Sequence, residues 1–159
     1  MSEVLNISDE SLRIVLKIRM SNKPKIFLCI GTPTHTWDSY GPMVGSLLKE
    51  NKIMYVGDMD NPIDAHNVEE AETIIRNKYP NHELIAIDAA VTHKEYKANK
   101  VWVKDKGLKP GEAYSRNLNE IGDYSILYGI HYDEKDDKDH SKPFKAAIET
   151  VQIIKKILE

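Results

Sequence analysis

Short apolar runs alternate with longer amphipathic segments along most of this chain. The runs are rich in β-branched and aromatic residues, which is typical of strands, whereas the longer segments repeat their apolar positions every three or four residues, which is typical of helices. The predicted strands are 25–30, 53–57, 83–88, 101–105 and 124–132. The predicted helices are 8–20, 40–51, a segment between residue 68 and Pro80, and a last segment that starts at Pro143.

The order of these elements predicts a three-layer α/β/α fold. Strands that alternate with helices in the first half form a doubly wound parallel sheet, and the later strands extend it into a mainly parallel mixed sheet. Because no repeat or internal linker divides the chain, residues 1–159 are predicted to form a single domain. Within it, residues 1–22 form an N-terminal helix and linker, and the charged stretch 133–142 forms a solvated surface loop.

The composition is that of a globular protein from a reducing compartment. The chain is 41% apolar and 30% charged with a net charge of −3, and its basic residues are spread out, so we expect neither nucleic acid nor an anionic membrane as a partner. Cys29, the single cysteine, lies in a predicted buried strand and is predicted to be a core residue. Without an apolar run of ~18 residues or a signal peptide, the protein is expected to be cytoplasmic.

Two aspartates stand at positions where open α/β sheets bind their ligands. Asp38 follows the first predicted strand, and Asp88 ends the third. The carboxyl ends of parallel strands meet at one edge of a sheet, with neighbouring strands ~5 Å apart, so the two carboxyl groups could share a proton, bind a metal or activate a water. The alternative is that each aspartate only caps or forms a turn. The pattern alone leaves both interpretations open.

Three further side chains in the same loops are candidates for substrate binding. His35 and Trp37 precede Asp38, and His93 follows Asp88. Two aspartates and two histidines would be an adequate ligand set for a zinc-like ion, but their spacings match no known metal motif, which favours solvent-exposed loop histidines. Trp37 fits either a cover over a cleft or ordinary rim packing. No cofactor is expected, and a divalent metal at the two aspartates is the less favoured alternative.

Several familiar sites are absent from the sequence. Pro33 and His35 stand where a phosphate-binding loop after Gly31 would need glycine. The chain also has no Walker lysine motif, no GxSxG elbow and no cysteine outside the predicted core. These absences exclude the commonest nucleotide-binding sites and the commonest serine and cysteine nucleophiles.

Five segments carry a resemblance to a known family. They are IGTPTHTWDSYGPMVGSLL (30–48), DNP (60–62), ELIAIDAAV (83–91), GLKPGEA (107–113) and IGDYSI (121–126). In this order they resemble the YyaC-type sporulation proteins, which are relatives of the spore germination protease and, more distantly, of the hydrogenase-maturation endopeptidases. The resemblance covers roughly residues 22–158 and implies a phosphorylase/hydrolase-like α/β/α fold.

The resemblance also implies a role for both aspartates. In the germination protease the acids that match Asp38 and Asp88 are the proposed catalytic pair, whereas in the maturation endopeptidases the matching carboxylates and a histidine bind the nickel that guides cleavage. That histidine falls near Arg116 to Asn119, where this sequence has none. The resemblance therefore implies an aspartic-type endopeptidase with catalytic Asp38 and Asp88, acting on proteins or peptides such as the small acid-soluble spore proteins.

Two other functions stay open at this point. The short chain without the nickel-binding histidine also suits a non-catalytic sporulation factor that retains the protease fold and serves as a binding or assembly protein. A flavodoxin-like module that binds a small ligand at the same strand edge is the third interpretation. A homo-oligomer is compatible with each of these functions.

Overall fold

The computed structural model describes residues 5–110 and 119–159. The α-helices of this part of the chain are α1 (Asp9–Met20), α2 (Tyr40–Glu50), α3 (Val68–Lys78) and α4 (Ser141–Leu158). Its strands are β1 (Lys25–Cys29), β2 (Tyr55–Val56), β3 (Glu83–Thr92), β4 (Val101–Lys104) and β5 (Tyr124–His131). None of these helices is long and apolar enough to span a bilayer.

The five strands form one sheet in the order β2-β1-β3-β5-β4. The first four strands in this order are parallel, and β4 runs antiparallel to β5. The chain leaves β1 through α2 to reach β2 on one side, then returns through α3 to place β3 on the other side of β1. This is the doubly wound arrangement that the element order predicted. It sets the carboxyl ends of the first and third strands side by side.

Helices cover both faces of the sheet and complete the three layers. One face packs against α1, α2 and α4 in an apolar cluster that includes Phe27, Cys29 and Ile85. The other face packs against α3 in a second cluster that includes Leu28 and Ala86. Neighbouring residues of β1 enter opposite clusters because successive side chains of a strand point to opposite faces. The predicted three-layer α/β/α fold with a mainly parallel mixed sheet is confirmed, and Cys29 is buried as predicted.

Most predicted elements end within a few residues of the observed bounds, and two differences have a physical reason. The prediction that the third strand ends at Asp88 is wrong: β3 continues to Thr92 because residues 88–92 stay paired with β5 after β1 has ended. Helix α4 begins at Ser141, before Pro143, since proline is tolerated in the first turn of a helix. Of the connection predicted at 107–118, residues 111–118 lie outside the described part of the chain.

A buried hydrogen bond ties α2 to α4. Tyr40 Oη lies 2.7 Å from Thr150 Oγ1, which itself donates to the carbonyl oxygen of Ala146 over 2.8 Å, so Tyr40 is the donor. We expect Tyr40→Phe to lower the free energy of unfolding by about 1 kcal/mol, because one buried hydrogen bond is lost while Thr150 keeps a partner. Urea denaturation checks this against Tyr96→Phe on the exposed Tyr96 ring. Equal midpoints for the two variants would contradict it.

Candidate active site

Asp38 is held at the sheet edge by the turn that follows β1. A short 3-10 helix at Trp37–Ser39 carries it directly into α2. The backbone N–H of Thr32 donates to Asp38 Oδ2 over 3.1 Å. Gly41, in the first turn of α2, lies so close to the end of β1 that a Cβ there would collide with the carbonyl oxygen of Ile30. This close approach presses the start of α2 against the sheet, and Asp38 is only 6% exposed.

Asp88 lies on β3 at the first position beyond the end of β1. The pairing of β1 with β3 ends at Cys29 and Ile87. Asp88 Oδ1 accepts a hydrogen bond from the N–H of Ala89 over 2.8 Å, and the residue is 7% exposed. The carboxyl group therefore reaches the sheet edge from inside a continuing strand.

One cleft brings the two predicted aspartates together. It has a volume of about 860 Å³ and is lined by Asp38, Asp88 and the β3 residues 89–91 that follow. Its volume falls in the usual range for sites that bind small molecules. The sheet edge at the carboxyl ends of β1 and β3 is thus an open site, as the ligand rule for doubly wound sheets predicts.

The two carboxyl groups are electrostatically coupled. Burial raises the pKa of Asp88 well above its ordinary value of 3.8, and the negative charge of Asp38 raises it further. The hydrogen bond from the N–H of Ala89 acts in the opposite direction but does not offset them. Because full ionisation would place two like charges in one buried site, the pair retains one proton above the pH at which an ordinary aspartate loses it.

The three candidate substrate-binding residues line the same cleft. His35 and His93 are exposed, and Trp37 is half-buried. The ring of His93 stacks on Tyr132, with centroids 4.8 Å apart and an interplanar angle of 27°. Their role in substrate binding stays a prediction, since geometry alone shows position and not contact with a ligand.

The cleft is also lined by four lysines that the sequence pattern did not indicate as site residues: Lys104, Lys106, Lys109 and Lys135. Three of them come from the end of β4, which pairs antiparallel with β5, and from the segment that follows it. The alternation of 101–105 predicted a strand there but not which neighbour it pairs with. Glu120 and Asp136 also line the cleft, so its lining carries both signs of charge.

A third buried aspartate shows what a structural carboxylate looks like in this fold. Asp58 follows β2 and accepts hydrogen bonds from Tyr55 Oη (2.5 Å) and from the N–H groups of Asn61 (2.8 Å) and Asp60 (3.0 Å). Burial acts to raise the pKa of Asp58, but these three bonds outweigh it and hold the pKa below its ordinary value. Asp58 stabilises its own loop, whereas the raised pKa of Asp88 is typical of a site residue.

The described residues do not assemble a metal site. Within 5–110 and 119–159, no group of three or more His, Cys, Asp or Glu side chains is placed to hold an ion. The position that the resemblance assigns to the nickel-binding histidine, Arg116 to Asn119, lies outside these segments except for Asn119. The Asn119 Nδ2 atom donates to Glu69 Oε2 over 3.2 Å.

The fold of this sheet and its covering helices is shared with proteins of known structure. It is similar to that of the [NiFe] hydrogenase maturation protease HycI from Thermococcus kodakarensis KOD1, with a TM-score of 0.58 and 19% identity over 91% of this chain and 98% of that one. It is also similar to that of HybD from Thermococcus kodakarensis, with a TM-score of 0.52 and 17% identity over 86% and 99% of the two chains. At these identities the likeness shows the fold.

The chain belongs to the protein family of unknown function DUF1256, whose model matches residues 3–158. It is 31% identical over 127 residues to the uncharacterized protein YyaC of Bacillus subtilis (strain 168). This match covers 78% of the chain and 59% of YyaC, so the chain spans about three fifths of the length of that relative. The predicted resemblance to YyaC-type proteins is thereby confirmed.

Proposed function

We propose that this protein hydrolyses peptide bonds with Asp38 and Asp88 as its catalytic carboxyl pair. The observation that carries the proposal is the placement of two buried, coupled carboxyl groups in one open cleft, with the pKa of Asp88 raised. Paired carboxyl groups with separated pKa values are the arrangement by which one site supplies both an acid and a base. The protease-like fold is consistent with this chemistry.

In the proposed mechanism the ionised Asp38 takes a proton from a water molecule as that water attacks the carbonyl carbon of the peptide. The neutral Asp88 then donates its proton to the nitrogen of the leaving amine, and the C–N bond breaks. Asp38 ends the cycle protonated and Asp88 ionised. Exchange of one proton with solvent restores the starting state, so no cofactor is consumed.

The proposed substrates are proteins of the spore, with the small acid-soluble spore proteins as the first to test. The support is the resemblance to YyaC-type sporulation proteins and their relationship to the spore germination protease. In this proposal the protein acts in the cytoplasm of the developing or germinating cell, and His35, Trp37 and His93 contact the substrate at the rim of the cleft.

The test is incubation of the purified protein with small acid-soluble spore proteins across a pH series, with the Asp38→Asn variant in parallel. We expect cleavage by the unmodified protein that falls as pH rises through the raised pKa of Asp88, because ionisation of Asp88 removes the proton donor. Asp38→Asn removes the base and is expected to show no cleavage above background. Mass spectrometry of the products checks both results.

Absence of cleavage by the unmodified protein would rule out hydrolysis of this substrate class. If the same preparation binds the spore protein without cutting it, a non-catalytic sporulation factor is the better description. Cleavage that survives Asp38→Asn at an unchanged rate would exclude the carboxyl-pair mechanism while leaving a hydrolase.

A further inference from the structure

The strand that carries Asp88 extends beyond the end of its neighbour β1. Pairing between β1 and β3 ends at Ile87, but β3 runs on to Thr92 and stays paired with β5 through that residue. Among the strands of the described segments, residues 88–92 are therefore paired with β5 alone. The chain that would extend β1 turns away after Ile30, whose N–H donates to the carbonyl oxygen of Ile87 over 2.7 Å.

The direction of the backbone groups along β3 follows from two hydrogen bonds that its carbonyl groups accept, one at Leu84 and one at Ile87. The carbonyl of Ile87 points toward β1, since it accepts from Ile30. The carbonyl of Leu84 points toward β5, since it accepts from the N–H of Asp123. Both backbone groups of a strand residue point to the same side, and the side alternates along the strand. The register of β3 with β5 is unbroken from residue 85 to 92, so Ala89 and Val91 point to the side that β1 vacates.

These backbone groups open onto the cleft. The N–H of Ala89 is satisfied by Asp88 Oδ1. No hydrogen bond from within the described residues reaches the Ala89 carbonyl or the N–H and carbonyl of Val91. Residues 89–91 line the cleft next to Asp88, and Ala89 and Ala90 have the small side chains that let another backbone approach. An unpaired strand edge of this kind is a template for an added strand.

We infer that the substrate binds here as an extended peptide that pairs its backbone with the Ala89–Val91 edge of β3. This inference rests on the proposed function and names its substrate class, a polypeptide segment without secondary structure of its own. The added strand lies in line with β1, beside the Ala89–Val91 edge of β3. Backbone pairing of this kind supplies affinity, and side-chain contacts in the cleft supply selectivity.

The test measures binding apart from hydrolysis. In the Asp88→Asn background, which retains the acceptor for the Ala89 N–H, Val91→Pro removes only the donor that faces the cleft and no donor to β5. Val91→Thr is the matched comparison, because it keeps the N–H and the branched shape. We expect Val91→Pro to bind a fluorescein-labelled small acid-soluble spore protein about tenfold more weakly than Val91→Thr in fluorescence anisotropy. Equal affinities, or no binding by either variant, would overturn the inference.

Amide hydrogen exchange provides a second measurement that does not depend on how Val91→Pro folds. When the labelled spore protein saturates the Asp88→Asn protein, exchange at the Val91 N–H is expected to slow about tenfold or more. The Ala90 N–H, which faces β5, is expected to keep its rate. Unchanged exchange at Val91 would contradict strand addition.

Failure of this inference and failure of the proposed function give different results. The first comparison uses Val91→Pro and Val91→Thr in the protein with both aspartates intact. If the two variants hydrolyse the substrate equally fast, the protein is a peptidase but does not bind its substrate by strand addition. If binding depends on the Val91 N–H but the bound chain is never cut, strand addition is supported and the peptidase function is excluded.

Discussion

Replacing Asp88 with asparagine is expected to slow peptide hydrolysis by roughly 10²–10⁴-fold and, at the same time, to raise the thermal unfolding midpoint near neutral pH. The loss of rate follows because an amide cannot donate the proton that the leaving amine needs. The gain in stability follows because the folded protein holds the pKa of the Asp88 carboxyl group above its value in the unfolded chain, whereas asparagine has no group to ionise. A residue whose removal stabilises the fold is one that the fold retains for function.

The pH dependence of this stabilisation has a definite sign. The pKa of Asp88 is raised in the folded protein above its ordinary value of 3.8. Below that ordinary value the carboxyl group is protonated in both states, and it contributes nothing to the difference between them. As pH rises from there toward the folded-state pKa, the unfolded chain ionises first and gains relative stability. The thermal unfolding midpoint of Asp88→Asn should therefore equal that of the unmodified protein at acid pH and lie above it at neutral pH.

Asp58→Asn is the control for this prediction. The pKa of Asp58 is lowered in the folded protein, because hydrogen bonds from Tyr55 and two backbone N–H groups outweigh its burial. Its ionised form stabilises the fold, so Asp58→Asn should lower the unfolding midpoint at neutral pH and leave the rate of hydrolysis per folded molecule unchanged. Thermal melts at acid and neutral pH, together with cleavage rates, separate the two variants. A lower midpoint for Asp88→Asn would contradict the assignment of Asp88 to a destabilised site.

The Gly41→Ala variant is expected to unfold more easily by about 3 kcal/mol and to lose hydrolysis even where it stays folded. A Cβ at residue 41 collides with the carbonyl oxygen of Ile30, which belongs to the backbone and cannot rotate away. Helix α2 must move off the sheet to relieve the collision, and Asp38 at its start moves with it. Alanine is otherwise the best helix former, so a loss here reports the collision and not helix propensity.

Urea denaturation measures the effect of Gly41→Ala, with Glu50→Ala as the comparison at the exposed end of the same helix. Glu50→Ala is expected to change the free energy of unfolding by no more than about 0.5 kcal/mol. If Gly41→Ala is as stable as Glu50→Ala, then α2 does not need its close approach to β1, and the positioning of Asp38 has another origin.

The parts of the fold that the sequence predicts well are those with a strong local signal. Ser8 caps α1 by accepting from the N–H of Ser11, as the serine before an acidic first turn indicates. The meeting of Asp38 and Asp88 follows from a general rule as well, because an alternating series of strands and helices places the first and third strands side by side. Each of these predictions needs only the segment itself or the order of elements.

The features that escaped prediction depend on partners distant in the chain. The last four residues of β3, 89–92, are small or β-branched and show no alternation of apolar and polar side chains. In the described part of the chain they are paired with β5. Lys106 and Lys109 line the cleft with Asp38 and Asp88, from which they are distant in the chain. The single-sided strand is also the feature on which the proposed peptide binding depends.

The crossover between β1 and β3 has a consequence for how the protein is made. Asp38 and Asp88 are 50 residues apart, and β5, which pairs with residues 88–92, begins 36 residues after Asp88. Contacts between such distant segments form late in folding. A chain emerging from the ribosome therefore contains both aspartates before β5, the strand that pairs with residues 88–92, has been synthesised. We expect the unfinished protein to be inert toward the other nascent chains around it.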